Sequence, residues 1–363
     1  MNLDTALVAG LAVPAVFAGL ALAFPRLLQS RWLVALSLVA AGAYWQNQFL
    51  GFLIVSTVCY GLARWVATQG ETERRWNLAC LAMVGMALVF TFGRLGNWER
   101  IWQLPIGRLS LYTLGMWQVL RIVSLFWEIG SGSAAVPSIQ QYFIWTCLPF
   151  TLGGPLLRWS QMPTELKVDR GVFRSSQWWR GSLAAWLKIT GGFGLAWLQQ
   201  YAAHRWPEAR LAQNVYVAFI AGPIGFYLST AGQFHWMEQL GRTCGVQIPE
   251  SFRNPIGREN ISAFWMNWNM TVTLMFRDYL FYNRWGRSSF NMYVNAVILF
   301  TLVGLWHSAN AYWLLWGIGH GVLFSGYLLW RRYGASLSLP FRGTVYSGAL
   351  ARVGTYFCVA MMW

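Results

Sequence analysis

Gly304-Leu305-Trp306-His307-Ser308-Ala309-Asn310 is the stretch on which the reading of this chain turns. It closes an apolar run that begins near Tyr293 and carries no Lys, Arg, Asp or Glu, and a further uncharged run follows from Ala311 to Trp330. An ionisable side chain at membrane depth is expensive, so its presence marks a functional position by default. Around it stand Phe264-Trp265-Met266-Asn267-Trp268-Asn269, then Phe276-Arg277-Asp278-Tyr279-Leu280, and downstream Trp316-Gly317-Ile318-Gly319-His320-Gly321.

The remaining sequence places that histidine in a membrane protein. Hydrophobic residues make up 56% of the 363 residues and charged residues only 11%, against about 25% charged in an ordinary globular domain. So few charges cannot solvate the surface of a soluble chain of this length. Apolar runs of roughly 17–25 residues are long enough to span a bilayer. Candidate spans fall at 6–24, 32–45, 49–67, 78–92, 111–127, 142–157, 183–198, 215–230, 264–282, 293–306, 311–330 and 345–363. Several are short, 32–45 among them, and short elements of this kind read as re-entrant helices, tolerated where protein or water covers the backbone. The expectation is an all-α, polytopic membrane protein with about eleven transmembrane or re-entrant helices, in one domain over 1–363.

The first apolar run has neither a basic leader nor a clear cleavage site and reads as a retained span. Among the 24 tryptophans, Trp32, Trp178 and Trp179 near helix ends suit an interfacial aromatic belt. The net charge of +15 does not indicate nucleic acid, because the basic residues are scattered through connectors: Arg26 and Arg31, Arg74 and Arg75, Arg170 and Arg174, Arg331 and Arg332. That is how cytoplasmic loops carry charge, and such residues can also hold anionic lipid headgroups. Orientation stays open, since the loop at 25–31 and the group Arg94, Arg100 and Arg108 point opposite ways. Cys59, Cys80, Cys147, Cys244 and Cys358 show no paired spacing and read as small buried hydrophobes, with neither a disulfide framework nor a metal site expected. The polar connectors at 161–180 and 241–260 read as surface segments of the same domain.

The order and spacing of several motifs resemble the membrane-bound O-acyltransferase family, in particular its bacterial alginate and polysaccharide O-acetylase branch. Leu148-Pro149-Phe150 with Gly153-Gly154-Pro155-Leu156-Leu157-Arg158 is similar to one family segment, and 181–188 to a later helix ending in lysines. Pro249-Glu250-Ser251-Phe252-Arg253-Asn254-Pro255, followed by Ile261-Ser262-Ala263-Phe264-Trp265, resembles the alginate O-acetylases closely. The likeness covers roughly 110–330, with 264–320 its most specific part. Four departures stand out. Asn269 replaces the histidine of the alginate branch, as in lipid and sterol acyltransferases of the family. The stretch 283–286 replaces a "PLGG" turn, 229–233 replaces an acidic one, and the chain ends at Trp363 where alginate acetylases continue.

The resemblance implies helices around a central pore, in the bacterial inner membrane, with His307 at the constriction and Asn269 as its partner. It further implies no bound cofactor, but an activated donor, acetyl-CoA or an acyl carrier thioester, arriving from the cytosol. The acceptor would be a hydroxyl of an exported polysaccharide, or an extracellular or periplasmic acyltransferase partner that passes the acetyl group on; membrane lipids surround it and no nucleic acid is involved. The chemistry itself can be argued from the residues. Imidazole has the side-chain pKa nearest neutrality and can take a hydroxyl proton as attack proceeds. Asn269 either donates to the carbonyl oxygen as charge develops or orients the imidazole. No Ser or Cys sits in a nucleophile motif, and no acyl-enzyme is required.

Further positions carry two readings each. His320 either packs between helices or acts directly, with Trp316 and Trp313 on its face. Arg277, two turns after Asn269 and within about 80° of its face on one helix, either reaches donor phosphates or forms an ion pair. Lys188 snorkels, binds a donor phosphate or pairs within the bundle. Trp306 and Arg158 are supporting or donor-binding candidates. His204 reads as exposed in a loop and His235 as interfacial near a helix end. Two other functions remain open: a lipid-directed O-acyltransferase of the same family, and a transporter or flippase.

Overall fold

The computed structural model describes residues 3–29, 32–45, 48–95, 103–104, 107–108, 115–281, 289–334 and 345–360. The fold is all-α, as expected: fourteen α-helices account for most of the described residues, beside one antiparallel pairing of Gln103–Leu104 with Gly107–Arg108. The stretch 283–286, Arg31 and Arg100 lie outside the described residues. The chain forms two compact units, Met1–Trp179 with Met237–Pro249, and Arg180–Trp236 with Glu250–Trp363.

The first unit contains α1 (Leu3–Ala23), α2 (Trp32–Trp45), α3 (Phe49–Ala67), α4 (Thr72–Leu95), α5 (Met116–Ser131) and α6 (Ile139–Thr146). Trp76 of α4 meets Trp127 of α5 edge to face, 4.7 Å between ring centroids. The expected span at 142–157 is not a helix. α6 begins in a capping box, Gln141 N donating to Ser138 Oγ and Ser138 N to Gln141 Oε1, and stops at Thr146. Leu148 stands before Pro149 and takes extended angles, because the proline ring disfavours helical geometry at the preceding residue. The chain then folds back as a buried loop, which Trp145 Nε1 secures by donating to Leu157 O at 3.0 Å. The polar connector docks by its backbone on the end of a later helix: Lys167 N donates to Cys244 O, and Asp169 N to Thr243 O. Trp178 is buried, its Nε1 donating to Gln239 O, so it belongs to the core and not to an aromatic belt. Trp32 and Trp179 are exposed. Cys59, Cys147 and Cys244 are buried, whereas Cys80 is half-buried and Cys358 exposed, contrary to the reading of all five as buried.

The second unit is built on α7 (Ser176–Arg205) from Arg180 onward, on a helical run of α8 (Arg210–Tyr216), a π-helical stretch (Val217–Gly225) and α9 (Phe226–Thr243) as far as Trp236, and on five later helices. Pro223 and Gly222 lie within the π stretch, where a residue without an N–H is accommodated by wider turns. α7 and α9 touch backbone to backbone at Gly232, where a Cβ would come within 2.7 Å of Ala185 O and Ile189 N.

The expected span at 264–282 is also broken. It divides into α10 (Ile261–Trp265), a turn, α11 (Met270–Phe276) and a π-helical extension (Arg277–Phe281). α12 (Ser289–His307) and α13 (Ala311–Tyr333) form a tight antiparallel hairpin. Gly317 makes it possible, because a Cβ there would press on Phe300 O; small residues let helices approach this closely. Asn310 starts α13, its Oδ1 accepting from Trp313 N at 3.0 Å. α14 (Val345–Ala360) docks through the Tyr356 hydroxyl on Phe219 O and an exposed Arg352–Glu259 ion pair.

Phe49–Ala67 and the run Arg210–Thr243 are long and apolar enough to cross a bilayer. Gly10–Ala23, Trp32–Trp45, Met292–His307 and Gly348–Ala360 are apolar but shorter.

Candidate active site

Six of the seven candidate residues fall in the second unit. His307 is the last residue of α12, where Ser308 N still donates to Gly304 O before the chain turns into α13. Its half-buried ring lies stacked on Trp313, 4.6 Å between centroids and 18° between planes. Trp306, itself buried, sits 4.7 Å away and Trp316 6.0 Å away on edge. The spacing of Trp313 and Trp316, one turn apart at the start of α13, puts both indoles on the face that meets the end of α12.

Asn269 occupies the turn between α10 and α11, not the interior of a helix. Its backbone is left-handed, φ 42° and ψ 53°, a region that asparagine tolerates better than other residues with a side chain. Its carbonyl accepts from Val272 N and Thr273 N, which starts α11. The segment 251–253 brackets it on both sides: Met270 N donates to Ser251 O at 2.7 Å, and Arg253 N to Asn267 O at 3.1 Å. The side chain does not cap the helix. Among the described residues its one hydrogen bond is a long 3.5 Å contact from Thr271 Oγ1 to Oδ1, which leaves the amide donors uncommitted there.

An unbroken run of ring contacts joins the two positions. Trp268, the neighbour of Asn269, meets Trp265 at 6.3 Å, Trp265 meets Trp316 at 5.7 Å, and Trp316 meets His307 at 6.0 Å. His320 is set inside this run, 0% exposed, with Trp316 at 4.4 Å and Trp265 at 4.9 Å. Neither ring nitrogen of His320 has a hydrogen-bond partner among the described residues. Such a group costs stability by its desolvation, and its place in the fold is packing between α10, α12 and α13.

The remaining candidates are accounted for locally. Asn269 is the left-handed N-cap of α11 and so stands outside the helical turns that lead to Arg277, which puts the two on no common helical face. Arg277 is paired with Asp278, Nη2 to Oδ1 at 2.8 Å and Nε to Oδ1 at 3.0 Å. Lys188, in mid-α7, donates from Nζ to His235 Nδ1 at 3.1 Å, and His235 Nε2 donates to Phe252 O at 3.0 Å. His235 therefore lies inside α9 as part of a hydrogen-bonded network, not near a helix end. His204 is exposed as expected, but in the last turn of α7 instead of a loop. Arg158 belongs to the first unit, at the start of a short 3-10 turn, with its backbone N–H on Gln161 Oε1. A cavity of about 530 Å³ in that unit is lined by Trp159, Met162, Glu165 and Lys167 among others, and by none of the candidate residues. No cluster of three His, Cys, Asp or Glu able to hold a metal occurs among the described residues.

His235 is the residue whose role sequence reasoning missed. The signal was Lys188: an ammonium in mid-helix among apolar residues needs a partner within reach, and His235 is one of the few polar groups in the apolar stretches that could supply it.

No protein-family profile matches the chain. Individual proteins do. A "Probable alginate O-acetylase AlgI" of Pseudomonas putida is 30% identical over 99 residues, which is 27% of this chain and 20% of that protein. The "Teichoic acid D-alanyltransferase" of Bacillus subtilis is 32% identical over 72 residues, 17% of this chain and 18% of that protein. The "Peptidoglycan O-acetyltransferase" of Helicobacter pylori is 27% identical over 85 residues, 23% of this chain and 16% of that protein. The matched part thus amounts to about a fifth of the length of the first of these relatives. Over the stretches they cover, these similarities relate the chain to enzymes named for O-acetyl and D-alanyl transfer, that is, to acyltransferases.

Proposed function

We propose that this protein is a polytopic O-acyltransferase of the bacterial inner membrane, in which His307 acts as general base and Asn269 assists. The acyl group, acetyl by analogy with the alginate and peptidoglycan relatives, comes from a cytosolic thioester, acetyl-CoA or an acyl carrier. The acceptor is a hydroxyl of an exported polysaccharide or cell-wall polymer, reached directly or through a partner acyltransferase. The observation that carries the reading is the joining of His307 to the Asn269 turn by one run of aromatic rings.

The reaction follows from the groups present. The acceptor O–H gives its proton to the His307 imidazole as its oxygen attacks the thioester carbonyl, forming a C–O bond. The carbonyl oxygen, charged in the tetrahedral intermediate, takes a hydrogen bond from the Asn269 amide. Collapse breaks the C–S bond, and the imidazolium returns the proton to the departing sulfur. A general base of this kind is worth roughly 10²–10⁴ in rate, and one oxyanion donor roughly 10²–10³. Positive charge arising on the ring meets the Trp313 face and the carbonyls of the last turn of α12, both of which attract cations.

The polytopic arrangement is supported by the outer surfaces of the helices. Val39, Val58, Leu81, Leu183, Leu315 and Leu350 are each more than half exposed, on helices α2, α3, α4, α7, α13 and α14. Apolar surface on so many elements suits lipid, not water. Helices α1, α4, α7 and α13 have 21, 24, 30 and 23 residues, enough for a bilayer core at 1.5 Å per residue.

The test is transfer from radiolabelled acetyl-CoA by the full chain in proteoliposomes supplied with envelope polysaccharide, comparing wild type with His307→Ala and Asn269→Ala. Ester-linked label on polymer that disappears in folded His307→Ala supports the proposal; equal labelling by that variant refutes it. Asn269, in place of the histidine of the alginate branch, favours a lipid-directed transferase as second reading, and label partitioning into the organic phase would select it.

A further inference from the structure

We propose that Lys188 and His235 are positioning residues for Asn269, acting through the backbone carbonyl of Phe252. The inference rests on the assignment of Asn269 to the reaction made above.

A backbone carbonyl only accepts and an ammonium only donates, so the two contacts of His235 fix its proton on Nε2 and leave Nδ1 to receive Lys188. The imidazole is thus held in one tautomer and one orientation between Nζ at 3.1 Å and Phe252 O at 3.0 Å. Phe252 is the middle residue of the segment that brackets Asn269. Its neighbours Ser251 and Arg253 bond Met270 and Asn267 through the backbone. Its ring meets Trp268 edge to face at 5.3 Å and is 2% exposed. The fastenings of residues 251–253 therefore fall on Asn267, Trp268 and Met270, on both sides of Asn269, and His235 holds the segment through Phe252 O.

This arrangement answers a need that the Asn269 backbone creates. A residue with a side chain at positive φ persists only where its surroundings over-determine it. Lys188 and His235 are also a costly way merely to join α7 to α9, since those helices already touch at Gly232 and two apolar side chains would pack there without polar groups to satisfy. The polar pair supplies a directed hydrogen bond to one carbonyl, which apolar packing does not.

The experiment compares His235→Leu with His235→Gln in the full chain, by hydrogen exchange of the amides and by acetyl transfer from labelled acetyl-CoA. Glutamine can accept from Lys188 and donate to Phe252 O, as histidine does; leucine can do neither. His235→Leu should speed exchange at the Met270 and Arg253 amides about tenfold. It should also lower kcat about tenfold or more while leaving KM for acetyl-CoA unchanged, as loss of alignment requires. His235→Gln should stay within about threefold of wild type in both readouts. Unchanged exchange in His235→Leu overturns the tether, and altered exchange with normal kcat overturns its role in positioning. Equal losses in both variants would mark a purely structural role and overturn the proposal as well. A His307→Ala control separates the two levels: if it is inactive while His235→Leu works, only this inference fails, whereas an active His307→Ala removes the catalytic reading and leaves exchange to decide the tether.

Discussion

Replacing Asn269 by glycine and by alanine separates what its backbone does from what its amide does. The residue sits at φ 42°, ψ 53°, where a Cβ crowds the following carbonyl at a cost of roughly 1–2 kcal/mol for an ordinary residue. Asparagine pays less than alanine there and glycine nothing, while only asparagine carries the amide. The long Thr271 contact adds little, since a hydrogen bond at 3.5 Å is near the limit of useful geometry. Asn269→Ala should therefore lose about 1 kcal/mol of stability relative to Asn269→Gly. In activity the two should fall together, by roughly 10²–10³ if the amide serves as an oxyanion donor. Thermal unfolding in detergent reads the first quantity, and acetyl transfer from labelled acetyl-CoA at matched folded fraction reads the second. Equal thermal midpoints for the two variants would refute the left-handed turn. An Asn269→Gly protein as active as wild type would refute the amide's part in the chemistry.

Other consequences can be checked alongside. Trp313→Ala removes the ring stacked on His307 and should lower kcat by about tenfold, with Trp313→Phe keeping most of it, as an electrostatic aromatic face would; equal losses would point to packing alone. His320→Leu removes two buried nitrogens without partners among the described residues at similar volume, so the thermal midpoint should hold or rise and transfer should survive; loss of transfer in a stable protein would assign His320 to the chemistry. Gly317→Ala drives a methyl group into Phe300 O and should cost about 1–3 kcal/mol as overpacking, read as a lower midpoint. Ser138→Ala breaks the capping box of α6 and should cost about 1 kcal/mol without touching activity.

Much of this was legible in the sequence because it depends on local pattern. The uncharged run before His307 and the one after Asn310 marked the end of α12 and the start of α13 within a residue, since Asn310 caps the second; α12 begins earlier, at Ser289, and α13 continues to Tyr333. The breaks were harder. At 142–157 hydropathy stayed high through Leu148-Pro149, so the run looked continuous although proline forbids the helix there. At Asn269 no glycine or proline marked the turn; the residues on either side of it, Asn267 and Met270, are held by Arg253 and Ser251, which lie well upstream and meet them only in three dimensions. The same limit explains the site. His307, Asn269 and the tryptophans were visible as motifs, but the Lys188–His235–Phe252 network joins three separate segments and has no signature in any one of them. Arg277 was misplaced for the converse reason, because helical geometry was counted from Asn269, which is the left-handed N-cap of α11 and not its first turn.

The most direct measurement is acetyl transfer by the full chain in proteoliposomes with labelled acetyl-CoA inside and acceptor polysaccharide outside, wild type against His307→Ala of equal thermal midpoint. The account requires ester-linked label on the outer polymer with wild type and a loss of at least about a hundredfold in the variant. Label appearing at the same rate with His307→Ala would contradict it.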